Sequence, residues 1–233
     1  MTHMEKNLLE WVKRREVMIK GVIFDVDGTL FDSLSMWEKV DQIYLKEKGI
    51  NATPEISRKL FHLPLEKGAL FIKNTFHLQD DVNTIIKDIM DISKKMYLND
   101  VPVKRGVLSV LNYFQDHDIP MSIATSNNKD LVQAAFHRHH MGHYFQYILT
   151  SDEIGRGKNE PDIYLQACDK MNVLPENTLV FEDALHALKT VKRAGFKSVG
   201  CYDAYSLQDQ PQIKKLVDHY VVEMDEILEE IKD

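Results

Sequence analysis

Short apolar runs alternate with segments of helical periodicity along most of this chain, and the runs end in polar residues. KGVIFDV (20–26) is apolar, partly β-branched and stopped by Asp-Gly, which predicts a buried strand leading into a turn. MSIAT (121–125), YILT (147–150), TLVF (178–181) and KSVG (197–200) predict further strands, with a weaker one at YVV (220–222). Between them, the spacing predicts helices over Val107–Phe114, Leu131–Phe136, Ile163–Met171 and Ala184–Arg193, the last ended by Gly195, and the strand at 220–222 precedes a further helix to the end. Strands alternating with helices of this length predict an α/β fold, a doubly wound Rossmann-like parallel sheet.

One stretch breaks the alternation. From Leu34 to about Asp100 there is no strand signal. Met36, Val40, Ile43, Tyr44 and Leu45 lie near helical spacing up to Gly49, and Pro54 and Pro64 punctuate two shorter segments. Val82, Ile85, Ile86, Ile89 and Ile92 mark another helix. The expected organisation is an α/β core over 18–33 and 101–233, with an all-helical unit at 34–100 inserted in its first crossover. Residues 1–17, with Leu8, Leu9 and Trp11 or Val12 on one stripe, predict a short amphipathic helical extension.

Composition narrows the partners. Among 233 residues, 44% are hydrophobic and 28% charged, as in ordinary globular proteins. The net charge of -7 and the lack of a long basic run argue against a nucleic-acid partner, whose phosphates call for clustered Lys and Arg. A small anionic substrate needs only one or two local cations. Two cysteines, Cys168 and Cys201, make no disulfide framework, so a reducing, cytoplasmic setting is expected. No apolar run approaches the ~20 residues of a membrane span, so no membrane partner is expected, and we expect a monomer.

Chemistry-bearing residues cluster at the predicted strand ends, where open α/β sheets bind ligands. Asp25-Val26-Asp27-Gly28-Thr29 places two carboxylates two residues apart, on the same side of an extended strand. Such a pair suits a metal or a nucleophile with a separate acid-base; it also suits a plain turn. Thr125-Ser126-Asn127-Asn128 suits a phosphate at a helix start, or helix capping. Lys158, in the loop before a helix, can neutralise a phosphate or a carboxylate, or be solvated. Glu182-Asp183 suits Mg²⁺, or again a cap.

In this order the motifs resemble the haloacid dehalogenase superfamily, over nearly all of residues 18–203: FDVDGTLFDS, IATSN, GKNEPDIY and VFEDA. Within it, the chain looks like the β-phosphoglucomutase-like and sugar-phosphate phosphatase group. The resemblance makes 34–100 the cap domain and implies a Mg²⁺-dependent phosphatase acting on a small phosphorylated metabolite. It implies Asp25 as nucleophile, carrying a transient phosphoryl group, and Asp27 as the acid-base. It implies Mg²⁺ on the Asp25 carboxylate, the Asp27 main-chain oxygen and Asp183. Ser126 would bind the phosphoryl group, with Thr125 the alternative by one step of register. Asn127 and Lys158 would also hold the phosphate, Lys158 balancing charge against the nucleophile.

Asp27 sets the chain apart from the dehalogenases of the superfamily, which lack the second acid. Phosphomutase activity is the alternative, with a non-catalytic binding protein behind it. However, Trp37 stands where the mutases carry a histidine, and Phe61 and Leu65 stand where they carry basic residues. Trp37, Phe61 and Leu65 are expected to line the substrate pocket from a mobile lid. His139 and His143 have the i,i+4 spacing of a zinc pair but no third ligand placed with them, which favours a polar helix end.

Overall fold

A computed structural model describes residues 19–61, 63 and 65–231, without the side chains of Trp37, Glu38, Pro54, Ser57, Arg58 and Phe61. The expected helix at 1–17 and the side chains of Trp37 and Phe61 lie outside the described residues.

Six strands form one parallel sheet: β1 (Gly21–Phe24), β2 (Met121–Thr125), β3 (Phe145–Thr150), β4 (Thr178–Glu182), β5 (Lys197–Cys201) and β6 (His219–Val221). Their order is β3-β2-β1-β4-β5-β6, so the winding direction reverses between β1 and β4. Ligands of such sheets bind outside the carboxyl ends of the strands at that reversal.

β1 is buried on both faces, which explains its unbroken apolar run. Val22 and Phe24 enter one cluster, where Phe24 stacks on Phe181 with ring centroids 4.6 Å apart. Ile23 enters the other, with Ala124, Val180 and Tyr164.

Four helices are inserted in the first crossover ahead of α5, namely α1 (Leu34–Glu47), α2 (Pro54–Phe61), α3 (Leu65–Phe76) and α4 (Val82–Asn99). This is the inserted all-helical cap. Asp81 caps α4 by accepting from Thr84 N at 2.9 Å. The buried stripe of α4, Ile85, Ile89 and Ile92, joins the cluster that continues down to Val22 and Phe24. Beyond the cap come α5 (Val107–Asp116), α6 (Lys129–Arg138), α7 (Ser151–Ile154), α8 (Asp162–Met171), α9 (Leu185–Arg193), α10 (Gln210–Leu216) and α11 (Ile227–Ile231). Among the described residues, no helix is long and apolar enough to cross a membrane.

Candidate active site

β1 stops at Phe24, and the chain then turns. The Leu30 and Phe31 amides both donate to Val26 O at 2.9 Å, and Gly28 N donates to Phe31 O at 2.9 Å. Strand alternation therefore does not set the position of Asp27; the turn does. Gly28 is required twice over. Its φ of +81° is one that side chains resist, and a Cβ there would lie 2.6 Å from Asp183 Oδ2.

Register brings the next carboxylates together. Phe24 pairs with Phe181, so Asp25 and Glu182 are the following residues on neighbouring strands, in phase with Ile23 and Val180. That face meets α8 and the loop before it. Lys158, 5% exposed, donates to Asp25 Oδ1 and to Glu182 Oε2, the latter at 2.8 Å. Glu182 Oε2 also accepts from Tyr164 Oη at 3.3 Å, and Glu182 Oε1 from Ala184 N at 3.1 Å.

Burial, then the charge of Glu182, push the Asp25 carboxyl up to about 7 despite the opposing pull of Lys158. Asp183 is held well above the carboxylate range by burial and by Glu182, Asp25 and Asp203. Burial works against the charge of Lys158, but Asp25 and Glu182 outweigh it and leave its ammonium firmly protonated.

Asp27 has different company. Its Oδ1 accepts from Ser33 Oγ at 2.5 Å and its Oδ2 from Asn127 Nδ2 at 2.8 Å. Burial raises it, and those two hydrogen bonds oppose the rise. Ser33 precedes α1 without capping it, its hydroxyl being committed to Asp27. Tyr97, from the last turn of α4, is 3% exposed, and its hydroxyl faces Asp27 and Asn127 without making a hydrogen bond of good geometry to any described residue. Burial, and the nearby charges of Asp27 and Asp25, raise that phenol further.

At the end of β2, Asn128 caps α6, accepting from Asp130 N at 3.0 Å, which leaves Thr125, Ser126 and Asn127 free of that duty. Thr125 is buried and its Oγ1 accepts from Asn127 N at 3.0 Å. Ser126 is exposed, with its Oγ 3.1 Å from Ser151 Oγ. The structure thus gathers Asp25, Asp27, Asn127, Lys158 and Asp183 around one strand-end turn and places the Ser126 hydroxyl against α7. Leu65 lies apart from the carboxylates, on a cavity among the cap helices.

Sequence reasoning missed four residues here: Ser33, Tyr97, Glu182 as the second partner of Lys158, and Lys104. Lys104 Nζ donates to Gly28 O at 2.7 Å, to Tyr202 O at 2.6 Å and to Asp203 Oδ2 at 3.1 Å, tying the turn to the end of β5. Only Glu182 had a usable signal, its phase with Val180. His139 turns its Nε2 to Val101 O at 2.8 Å and its ring lies over Phe31.

Residues 22–201 match the family model of the haloacid dehalogenase-like hydrolases. The chain belongs to that family. Among relatives, it is 24% identical over 216 residues to a phosphorylated carbohydrates phosphatase of Thermotoga maritima, covering 92% of this chain and 99% of that one. It is 26% identical over 206 residues to the validoxylamine A 7'-phosphate phosphatase of Streptomyces hygroscopicus, covering 85% and 94%. A solved Thermotoga maritima structure, described as a candidate β-phosphoglucomutase, superposes with a TM-score of 0.81 at 24% identity, covering 91% and 98%. That likeness shows the haloacid dehalogenase fold.

The family's use of Mg²⁺ can be set against this chain's own donors. Carboxylate oxygens of Asp25, Glu182 and Asp183 lie within 4.8 Å of one another, all buried. Three buried carboxylates face one buried ammonium, so negative charge is in excess, and hard oxygen donors suit a divalent cation such as Mg²⁺. The residues fit the ion.

Proposed function

We propose that this chain is a Mg²⁺-dependent phosphatase that hydrolyses a small phosphorylated, sugar-phosphate-like metabolite through an aspartyl-phosphate on Asp25. The observation that carries the reading is the Asp25–Lys158–Glu182 network beside Asp183 at the sheet's reversal. An Asp25 oxygen attacks phosphorus as the bond to the leaving oxygen breaks, and Asp27 gives that oxygen its proton. Asp27 then takes a proton from water, whose oxygen attacks phosphorus and frees Asp25. Splitting one hard displacement in two lowers each barrier.

Lys158 holds Asp25 in place and offers positive charge to the phosphoryl oxygens. The Asp25 and Asp183 carboxylates and the Asp27 main-chain oxygen would hold Mg²⁺, which would add positive charge at those oxygens. We assign the phosphate-binding hydroxyl to Thr125, the buried alternative to Ser126, with Asn127 beside it. The phosphomutase alternative is not favoured, since the described lining of the cap cavity carries no basic side chain. Both cysteines are free and buried, in keeping with a cytoplasmic setting.

The test is phosphate release from p-nitrophenyl phosphate and a panel of sugar and nucleoside monophosphates, with Mg²⁺ or with chelator. Asp25→Asn, with a retained circular-dichroism spectrum, is expected to abolish release. Full activity under chelation, or a variant near the wild-type rate, refutes the assignment.

A further inference from the structure

The chain returns from the cap beside the active-site turn. Val103 bridges antiparallel to Phe31, Asp32 N donates to Pro102 O at 3.0 Å, and Lys104 N donates to Leu30 O at 2.9 Å. This register sets Lys104 alongside Leu30, just past Gly28. Its side chain is 17% exposed.

An ammonium carries three donors. On Lys104 all three are engaged, by Gly28 O at 2.7 Å, Tyr202 O at 2.6 Å and Asp203 Oδ2 at 3.1 Å. None is left for a phosphate, so this cation acts on the protein and not on a substrate. A counter-charge for Asp203 would need only the last of these bonds. The two shorter ones go to neutral main-chain oxygens.

The main-chain acceptors follow strands that are not neighbours. Gly28 follows β1 and Tyr202 follows β5, and β4 runs between these strands. The ammonium therefore reaches across the end of the strand that carries Glu182 and leads into Asp183. Gly28 gains most from this. Its N–H donates to Phe31 O at 2.9 Å and its carbonyl accepts from Lys104, so the peptide planes on both sides of it are fixed. The first of those planes contains the Asp27 main-chain oxygen. The Asp183 carboxylate packs against Gly28 itself, where a Cβ would lie 2.6 Å from Oδ2.

Resting on the phosphatase reading and its Mg²⁺ site, we propose that Lys104 is a positioning residue for the metal. By clamping the Gly28 carbonyl across the end of β4, it holds the Asp27 main-chain oxygen and the Asp183 carboxylate where both can reach one divalent cation. Charge and position pull in opposite directions here, which makes the role measurable. Removing a positive charge beside Asp203 and Asp183 would by itself tighten the binding of a divalent cation. Removing the clamp loosens it, and partners of this kind typically set about 10- to 100-fold in metal affinity.

The experiment is calorimetric titration with Mg²⁺ at pH 8, alongside melting of the metal-free protein, for wild type, Lys104→Met, Asp203→Asn and the double variant. Lys104→Met is expected to bind Mg²⁺ about 10- to 100-fold more weakly than wild type, and the double variant to bind it more weakly than Asp203→Asn by the same factor. Half-maximal hydrolysis of p-nitrophenyl phosphate then needs more Mg²⁺ in the same proportion. Lys104→Met leaves Asp203, 3% exposed, without its cation. Should that variant not fold, the double variant removes the stranded acid as well and carries the comparison.

Unchanged or tighter Mg²⁺ binding on removal of Lys104, in whichever background folds, shows a counter-charge for Asp203 and nothing more; it overturns the proposal while leaving the phosphatase reading intact. Absence of Mg²⁺ binding by the wild type overturns both.

Discussion

Replacing Lys158 with methionine separates the charge role of this residue from its volume. The side chain is 5% exposed and bridges Asp25 and Glu182, so its removal leaves two carboxylates in a low-dielectric site without their cation. Removing one member of a buried ion pair costs about 3–5 kcal/mol, because the remaining charge is uncompensated. For a protein of this size, 1 kcal/mol moves Tm by about 2–4 °C, which gives a fall of roughly 6–20 °C. A domain of ordinary stability, about 5–15 kcal/mol, survives this at room temperature.

The loss depends on pH, and its direction follows from the acids. Without the ammonium, the Asp25 pKa rises beyond its native value of about 7, while its unfolded value stays near 3.8. Across that window the folded state binds the extra proton, so stability declines as pH rises. Below the window both states are protonated and the penalty disappears. Thermal unfolding of metal-free wild type and Lys158→Met at pH 4 and pH 8 measures this. A Tm difference below about 2 °C at pH 8, or one of equal size at both pH values, refutes the claim that Lys158 holds the carboxylates ionised.

The same linkage governs the metal. In the metal-free protein, Asp25 is raised to about 7, so stability falls from about pH 4 to pH 7, and Mg²⁺ binding expels the retained protons. Apparent Mg²⁺ affinity at pH 8 is therefore expected to exceed that at pH 6 in calorimetric titrations, and equal affinities would contradict it. Tyr97→Phe removes a buried hydroxyl that makes no hydrogen bond of good geometry to any described residue, so Tm should hold or rise, by an amount worth up to about 1 kcal/mol. A clear fall in its melting curve would show that the hydroxyl is bonded. Gly28→Ala forces a residue to φ +81° and drives a methyl towards Asp183 Oδ2. The expected cost is about 1–3 kcal/mol, with more Mg²⁺ needed for half-maximal activity, and a normal Mg²⁺ activation curve would show that Asp183 had not been displaced.

β1, β2 and β4 were readable because they are buried on both faces, which makes each a short unbroken apolar run. β3 begins at Phe145, before the predicted Tyr147, because exposed Gln146 interrupts the apolar run. α10 was not predicted, since QPQIKKL offers only Ile213 and Leu216 to a helical stripe. At the site, Asp25, Asp27 and Asp183 lie where strand ends announce them, and Lys158 lies in the loop before α8. Tyr97 comes from the last turn of α4 and Lys104 from the return to the core. They meet the strand ends only through tertiary packing, so no local spacing marks them.

The two aspartates of the first turn differ in their partners more than in their burial, and this bears on the roles proposed for them. Asp25 is held by an ammonium that also holds Glu182, and this cation pulls towards the ionised form a nucleophile needs, against the burial and the Glu182 charge that raise the carboxyl to about 7. Asp27 is held by a hydroxyl and an amide, both neutral. When Asp27 is ionised, both groups donate to it. When it is protonated, the Ser33 oxygen can accept in turn, since a hydroxyl both donates and accepts. Such a setting tolerates either protonation state, which suits a group that must give a proton and later take one back. An ammonium in the same place would pull Asp27 towards the ionised form and weaken it as the acid of the first half of the reaction. Pairing the charged partner with the nucleophile and the neutral ones with the acid-base thus gives each carboxylate the proton affinity its step requires.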